Sequence, residues 1–312
     1  MIEFYVSGNF NNEGGIMDYL VREQCSVLTS FAYPKMVRDR TAALAVRLRE
    51  TKRKINHMID SGAFTAWASG KKIDLEQYAR TCNELQQQYA DCMSFVFVSL
   101  DSIPGAKGRE TTAEDIASAC QESAKNYDYL RKAVQGKVKP VFHTGDPEWL
   151  LEHYADADYI SFGMSQNLHE EERVQWVMRN APKAADKKLH GLAATGYRML
   201  RAAPWHSVDS AAWQYAASMG AMNWVKPSGQ LLALGVSKES PKQKELDGHV
   251  ASMPDIVQEE IRARLVAQGT SIEELRQGYA ARWLWNIACY REACAIASSA
   301  PRIAAQEGLF DA

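Results

Sequence analysis

WHSVDSAAW, residues 205–213, runs from a short β-branched and polar stretch into an alanine- and aromatic-rich segment, with Asp209 at the join. A carboxylate there has an ordinary use. Asp and Ser side chains accept hydrogen bonds from the free N–H groups of a helix's first turn, so Ser207, Asp209 or Ser210 would serve as a cap. The same strand-then-helix texture recurs upstream, and that recurrence decides the fold. Eight β-rich runs occupy residues 2–8, 25–31, 54–60, 94–101, 137–144, 158–163, 188–193 and 206–209. Helical patterns fill 74–92, 112–134, 147–155, 170–180, 197–203 and 211–220, with start signals at Asp146-Pro147 and in the Thr112-x-x-Asp115 box. Eight such units in about 220 residues fit the lower size range of a (β/α)8 barrel. No GxGxxG or GxxxxGK[ST] fingerprint follows any run, which argues against an open doubly wound sheet. The expected class is therefore α/β, a TIM barrel over residues 1–235.

Beyond Gly220 the texture changes. MNWVKPSGQLLALGVSK, residues 222–238, reads as a β-hairpin turning at Pro227, Ser228 and Gly229. Helices are expected at 254–267 and 272–298, the second opened by the Ser271-x-x-Glu274 box. Residues 236–312 thus form a helical extension packed on the barrel. Trp283, Trp285, Ile287 and Tyr290 recur at helical spacing, which points to packing rather than to a base-stacking surface.

The 312 residues carry 36 basic and 38 acidic side chains, a net charge of −2, with 46% hydrophobic residues. That balance is globular and argues against a general nucleic-acid coat. No apolar stretch approaches the roughly 20 residues of a membrane span, and the first residues lack a signal peptide's basic and apolar regions. A cytoplasmic location and no membrane partner are expected. Six cysteines without CxxC spacing fit reduced thiols and no zinc site. Residues 35–54 carry eight basic and two acidic side chains. They would neutralise phosphates, or form an amphipathic helix with Leu44 and Leu48 inward and the charges solvated.

In a parallel barrel the chemistry sits at the C-terminal ends of the strands. The third run ends in Asp60, the fourth in Asp101, the fifth near His143 and the eighth in Asp209. Any one would serve as a cap or turn former. Four at one structural position suggest a site. Aspartates held among apolar walls are expected to differ in protonation, which suits a nucleophile and an acid/base partner attacking an anomeric carbon. Gly62, Gly163 and Gly191 sit beside strand ends, where a missing Cβ admits a flat ligand or simply makes a turn. Phe64 lies four residues past Asp60, in reach of stacking.

DSGAF, residues 60–64, resembles the DSGGF or DSGGY signature of the tRNA-guanine transglycosylase superfamily. KLHGLAATGYRMLRAAPWHSVDSAAW, residues 188–213, resembles that family's penultimate strand, helix and nucleophile strand. The HGLAATGY and SVDSAAW forms are similar to the phage branch, which installs 7-deazaguanines in DNA and so shields it from host restriction. The likeness spans roughly residues 1–230. It implies Asp209 as nucleophile, Asp60 as general acid/base and Asp101 as reader of the guanine edge. Phe64 would stack on the base, with Ser61 and Gly62 beside it. His143 falls where the family has a base-contacting glutamine, Gly163 where a glycine backbone contacts the base, and His190, next to Gly191, where an apolar residue covers the other base face. Both histidines serve equally as core residues. Arg198, Arg201 and Lys226 would hold phosphates near the mouth.

The resemblance implies no cofactor. Its partners would be DNA with an unpaired or flipped guanine, a free 7-deazaguanine base and, as an open question, an accessory protein, all in the host cytoplasm if the gene is phage-borne. The tRNA enzymes carry a CxCxxC...H zinc site after the nucleophile strand, which the residues from Gly220 onward do not supply. Three rivals remain: a tRNA-acting transglycosylase with the same catalytic set, a barrel glycoside hydrolase, and a catalytically inert nucleic-acid-binding barrel.

Overall fold

The computed structural model describes residues 1–8, 10, 13–105, 108–165, 167–240 and 248–303. Its sheet is a ring of parallel strands. β1 (Glu3–Val6) lies between β2 (Ser26–Ser30) and β9 (Trp205–Ser210); β3 (Ile55–Asp60) and β4 (Met93–Val98) follow on one side, β8 (Lys188–Gly191) and β7 (Tyr159–Gly163) on the other. The fifth run closes the ring. It splits into β5 (Lys137–Lys139), paired with β4, and β6 (Val141–His143), paired with β7. Pro140 causes the split, since it has no N–H to give to either neighbour. The flanking carbonyls still work: Lys139 O accepts from Ser99 N at 2.8 Å and Pro140 O from Ser161 N at 2.9 Å. All eight expected runs are strands, and the architecture is a (β/α)8 barrel.

Helices α1 (Ile16–Arg22), α2 (Pro34–Thr51), α3 (Ala63–Ala68), α4 (Leu75–Tyr89), α5 (Ala113–Ala133), α6 (Glu148–His153), α7 (Glu170–Asn180) and α8 (Ala212–Ser218) occupy the connections. The basic stretch takes the amphipathic form. Leu44 and Leu48 are fully buried, and Arg38, Arg47 and Arg49 pair with Glu84, Asp18 and Asp91. The helix expected at 197–203 is reduced to a single 3-10 turn, Met199–Arg201. The Trp205 indole N–H ties the turn down through Met199 O at 2.7 Å.

Neighbours in a parallel ladder point the same way. The pairs Leu28/Met58, Val98/Lys139 and Tyr5/Asp209 therefore share the inner surface. Tyr5, Leu28, Met58, Val98, Val141 and Tyr159 form a small interior cluster, separate from the larger core between strands and helices.

The hairpin β10 (Ala221–Val225) and β11 (Leu231–Gly235) is antiparallel, and α9 (Asp255–Ala267), α10 (Ile272–Gln277) and α11 (Tyr279–Ser299) follow. Of the expected extension, residues 241–247 and 304–312 lie outside the described residues. α11 runs down the outside of β1 from Ala280, against Gly14 beyond that strand's C-terminal end, to Ser298, whose hydroxyl accepts from Ile2 N at its foot. Tyr290 stacks on Phe4 at 5.3 Å and Trp283 meets Trp213 edge-on at 5.9 Å. The tryptophan stripe is therefore core, as its spacing implied. Among the described residues no helix is long and apolar enough to cross a membrane.

Asn286, fully buried, pins the hairpin to the barrel by accepting from Asn223 N at 2.7 Å and donating to Trp213 O at 3.0 Å. Asn286→Leu strands both groups at about 1–3 kcal/mol each. Denaturant unfolding is expected to show a midpoint loss worth at least about 2 kcal/mol with an unchanged m-value.

Candidate active site

Three carboxylates gather at the C-terminal ends of the strands. Asp60 ends β3, and its Oδ2 accepts from Gly62 N at 3.0 Å. Gly62 has φ 82°, and a β-carbon there would come within 2.4 Å of Ala32 N, so the turn that aims Asp60 requires glycine. Asp101 follows β4. One of its oxygens meets His143 Nε2 at 2.9 Å, the other the Ser61 hydroxyl at 3.4 Å. Asp209 lies within β9, is 8% exposed, and accepts from Ala193 N at 3.0 Å. It does not cap α8, which has Ala211 at its N-cap and no side-chain cap; the Ser210 hydroxyl accepts from Ala212 N at 3.0 Å. That removes the ordinary explanation for the carboxylate in SVDS.

Asp60 and Asp209 shift in opposite directions. Burial pushes the Asp60 carboxyl up to about 6, and the nearby charges of Asp101 and Asp209 add to this, against the opposing hydrogen bonds of Ser30 and Gly62. Burial also works against Asp209, but the His190 contact, the Ala193 N–H and the Ser7 hydroxyl outweigh it and hold that carboxyl below its ordinary value. For His143, burial disfavours the cation, yet the hydrogen bond to Asp101 and the charges of Asp101 and Asp146 raise its pKa. Burial, with help from Lys139, pushes His190 down to about 4. Asp209 thus stays ionised to lower pH than an ordinary carboxylate while Asp60 takes up a proton more readily, the kind of difference an acid/base and nucleophile set requires.

Other expected site residues fall in several places. Phe64, on α3, is 56% exposed with Trp67 5.8 Å away, available beside the mouth. Ser61 is buried beneath Asp101. Gly163 makes room for His143 rather than for a ligand, since a β-carbon would sit 2.3 Å from His143 Nδ1; Gly191 likewise accommodates Ala194. His190 has no exposed surface and faces Asp209, with Nε2 3.4 Å from Oδ1, so it cannot cover a base. Arg198 pairs with Glu171. Arg201 donates to Pro301 O at 3.0 Å, just past the α11 end that meets Ile2. Lys226 turns the hairpin beside Gly229, which packs on Ile296 of that same end. Lys226 and Arg201 therefore sit toward the foot of the barrel, away from the carboxylates.

The sequence reading passed over Ser7, Ser30 and the Ala193 N–H, all of which touch an aspartate. Ser7 and Ser30 share the strand-end inward parity of Tyr5 and Leu28, a signal open to a count by twos. Also unread was a hollow of about 310 Å³ at the ends of β1 and β2, lined by Ser30, Tyr33, Arg40 and Gln214. It adjoins a shallower groove of about 650 Å³ that adds Lys35.

Fold and site define a (β/α)8 barrel with a carboxylate-lined mouth. No family model and no curated protein matches the chain. Among solved structures, a probable tagatose 6 phosphate kinase from Sinorhizobium meliloti 1021 is similar over 95% of this chain and 86% of its own, at 10% identity and a TM-score of 0.34. A likeness at that level says nothing about chemistry.

Asp60 carries a stability signature. Below about pH 4 the carboxyl is protonated both folded and unfolded; as pH rises to about 6 only the unfolded chain ionises, so wild-type stability falls across that window. Asp60→Asn removes the effect. Its stability relative to wild type is expected to rise between about pH 4 and pH 6, by at most about 3 kcal/mol, in urea titrations at a series of pH values.

Proposed function

We propose that this chain is a transglycosylase that exchanges guanine in DNA for a 7-deazaguanine base. The observation that carries the reading is the opposite shift of Asp60 and Asp209, on the ends of β3 and β9 with β2 and β1 between them, on the two residues that match the superfamily's acid/base and nucleophile. The preference for DNA rests on the SVDSAAW form, and on a segment past Gly220 holding two cysteines where the tRNA enzymes' zinc site takes three and a histidine.

The chemistry follows from these placements. An unpaired or flipped guanine, extruded at about a few kcal/mol, lies in the mouth with one face toward Phe64. An ionised Asp209 oxygen attacks C1′ and forms a C–O bond. The C1′–N9 bond breaks, and its electron pair leaves with guanine, which takes a proton from Asp60. Asp101 accepts hydrogen bonds from N1–H and the exocyclic amine of guanine, a pattern adenine does not offer. His143 fixes that carboxylate by occupying its other oxygen. A 7-deazaguanine then enters, gives its N9 proton to Asp60, and attacks C1′ from the vacated side, expelling Asp209. Two inversions restore the anomer. One glycosidic bond replaces another, so no external energy source is needed. The groove from Ser30 to Lys35 offers the adjoining nucleotides a path past Tyr33.

The test is incorporation of radiolabelled guanine into DNA and into tRNA. Incorporation into DNA is expected, with Asp209→Ala and Asp209→Asn reducing it at least about a thousandfold and Asp60→Asn about 10²–10⁴-fold. A wild-type chain that binds DNA and exchanges nothing, or an Asp209→Ala variant that exchanges normally, overturns the reading. Incorporation into tRNA alone moves the substrate to RNA.

A further inference from the structure

Beneath the mouth the barrel holds a buried lysine that the reaction above does not use. Lys139 ends β5, beside Val98 on the inner surface. It has no exposed area, and its Nζ has no hydrogen-bond partner. Its Nζ lies 4.6 Å from the centre of the Tyr159 ring. From Tyr159 a line of polar groups leads upward: its hydroxyl meets Ser207 Oγ, Ser207 Oγ meets His190 Nδ1 at 2.5 Å, and His190 Nε2 stands 3.4 Å from Asp209 Oδ1, close but short of a hydrogen bond.

Burying an ammonium without a partner costs several kcal/mol. A ring face returns about 2 kcal/mol, so the side chain gives up its proton unless fixed negative charge makes up the balance. Burial is the largest influence on Lys139 and disfavours its charge; the groups that favour it are Asp209, Asp60 and Glu3. They face it from β9, β3 and β1. His190 from β8 and His206 from β9 are the remaining titratable neighbours, both held toward the neutral form chiefly by burial, while Tyr159 from β7 stays protonated for the same reason. An inward strand position in a barrel ordinarily takes Val, Ile or Leu.

We propose that Lys139 is a positioning residue, an internal counter-charge that holds the negative charge of Asp209 and Asp60 in place, directly and through Tyr159, Ser207 and His190. It touches neither base nor sugar. Its influence runs upward to the carboxylates, and theirs runs down to it. The coupling is a property of the folded chain; only its effect on base exchange rests on the transglycosylase reading.

The coupling is measured on the full chain labelled with ¹³Cε-lysine, following the Lys139 resonance through a pH titration. That resonance is identified by its through-space contact with the Tyr159 ring, so no variant at position 139 has to fold. The expected midpoint lies below that of an ordinary lysine and drops by at least about one further pH unit in Asp209→Asn and in Asp60→Asn. A midpoint that both variants leave unmoved overturns the proposal. The second readout is the pH profile of guanine exchange. In Lys139→Met the acid limb, where Asp209 takes up its proton, is expected to move up by about one unit, and Lys139→Arg to move it back. A Lys139→Met profile that superimposes on wild type overturns the proposal as well. If no version exchanges any base, the transglycosylase reading fails, and the titration still decides the role of Lys139.

Discussion

The arrangement depends on one seam. A ring of strands needs a final strand that bonds on both sides, and here the task falls to a run interrupted by proline. Pro140 gives up one donor, yet the carbonyls of Lys139 and Pro140 reach opposite neighbours, Ser99 and Ser161. The seam keeps its inward parity through the break, so Lys139, Val141 and His143 all face the axis. At its top the Asp101–His143 hydrogen bond joins the end of β4 to the end of β6. Open that seam and β3 and β9 no longer belong to a common mouth, because it is curvature through a closed ladder that turns strand ends toward one another.

Much of this is legible in the sequence because barrel chemistry is tied to strand ends. A count of eight β-rich runs, four of them ending at or beside a titratable residue, located Asp60, Asp101, His143 and Asp209 without any knowledge of contacts. Parity is equally local. Lys139 stands two and four residues before Val141 and His143, and Ser207 two before Asp209, so a reading by twos places each on the inner surface. What the sequence hides is which end of the barrel a connecting residue occupies. Arg201 and Lys226 lie close to Asp209 in number, but a strand of five or six residues spans about 17–20 Å. Residues just before β9, or at the far end of a hairpin after it, can therefore fall at the opposite face. The glycines misled for a related reason. A missing Cβ signals a close approach but not the partner, and at Gly163 the partner is the neighbouring strand's own histidine.

Charge pairing explains why the basic stretch contributes little at the mouth. Positions 38, 47 and 49 look outward from α2 and meet carboxylates of α4, α1 and the turn before β4. Exposed pairs of this kind contribute little stability, but they satisfy charges that sequence alone counts as free. Arg40 is the exception: largely buried, it donates to Gly8 O at 3.1 Å beside the hollow at the ends of β1 and β2.

Two kinds of cost concentrate around Asp209, and their coincidence is the strongest structural argument that it is more than scaffold. The first is local strain. Ala193 adopts φ 52°, a left-handed conformation that a residue with a β-carbon enters at about 1–2 kcal/mol, and in that conformation its N–H points at the Asp209 carboxylate. The second is a polar column inside the barrel, from Glu3 with Ser26 and Asn56 at the foot, through Lys139, Tyr159, Ser207 and His190, to the carboxylates at the top. A barrel selected for stability alone would fill this volume with branched apolar side chains, since buried ions are often replaced by hydrophobic residues at no loss. Strain and buried charge that meet at a single side chain are expected where that side chain must keep its charge while most of its surface is shut off from water. A cap needs no such environment, and Asp209 does not cap α8, whose N-cap position is Ala211.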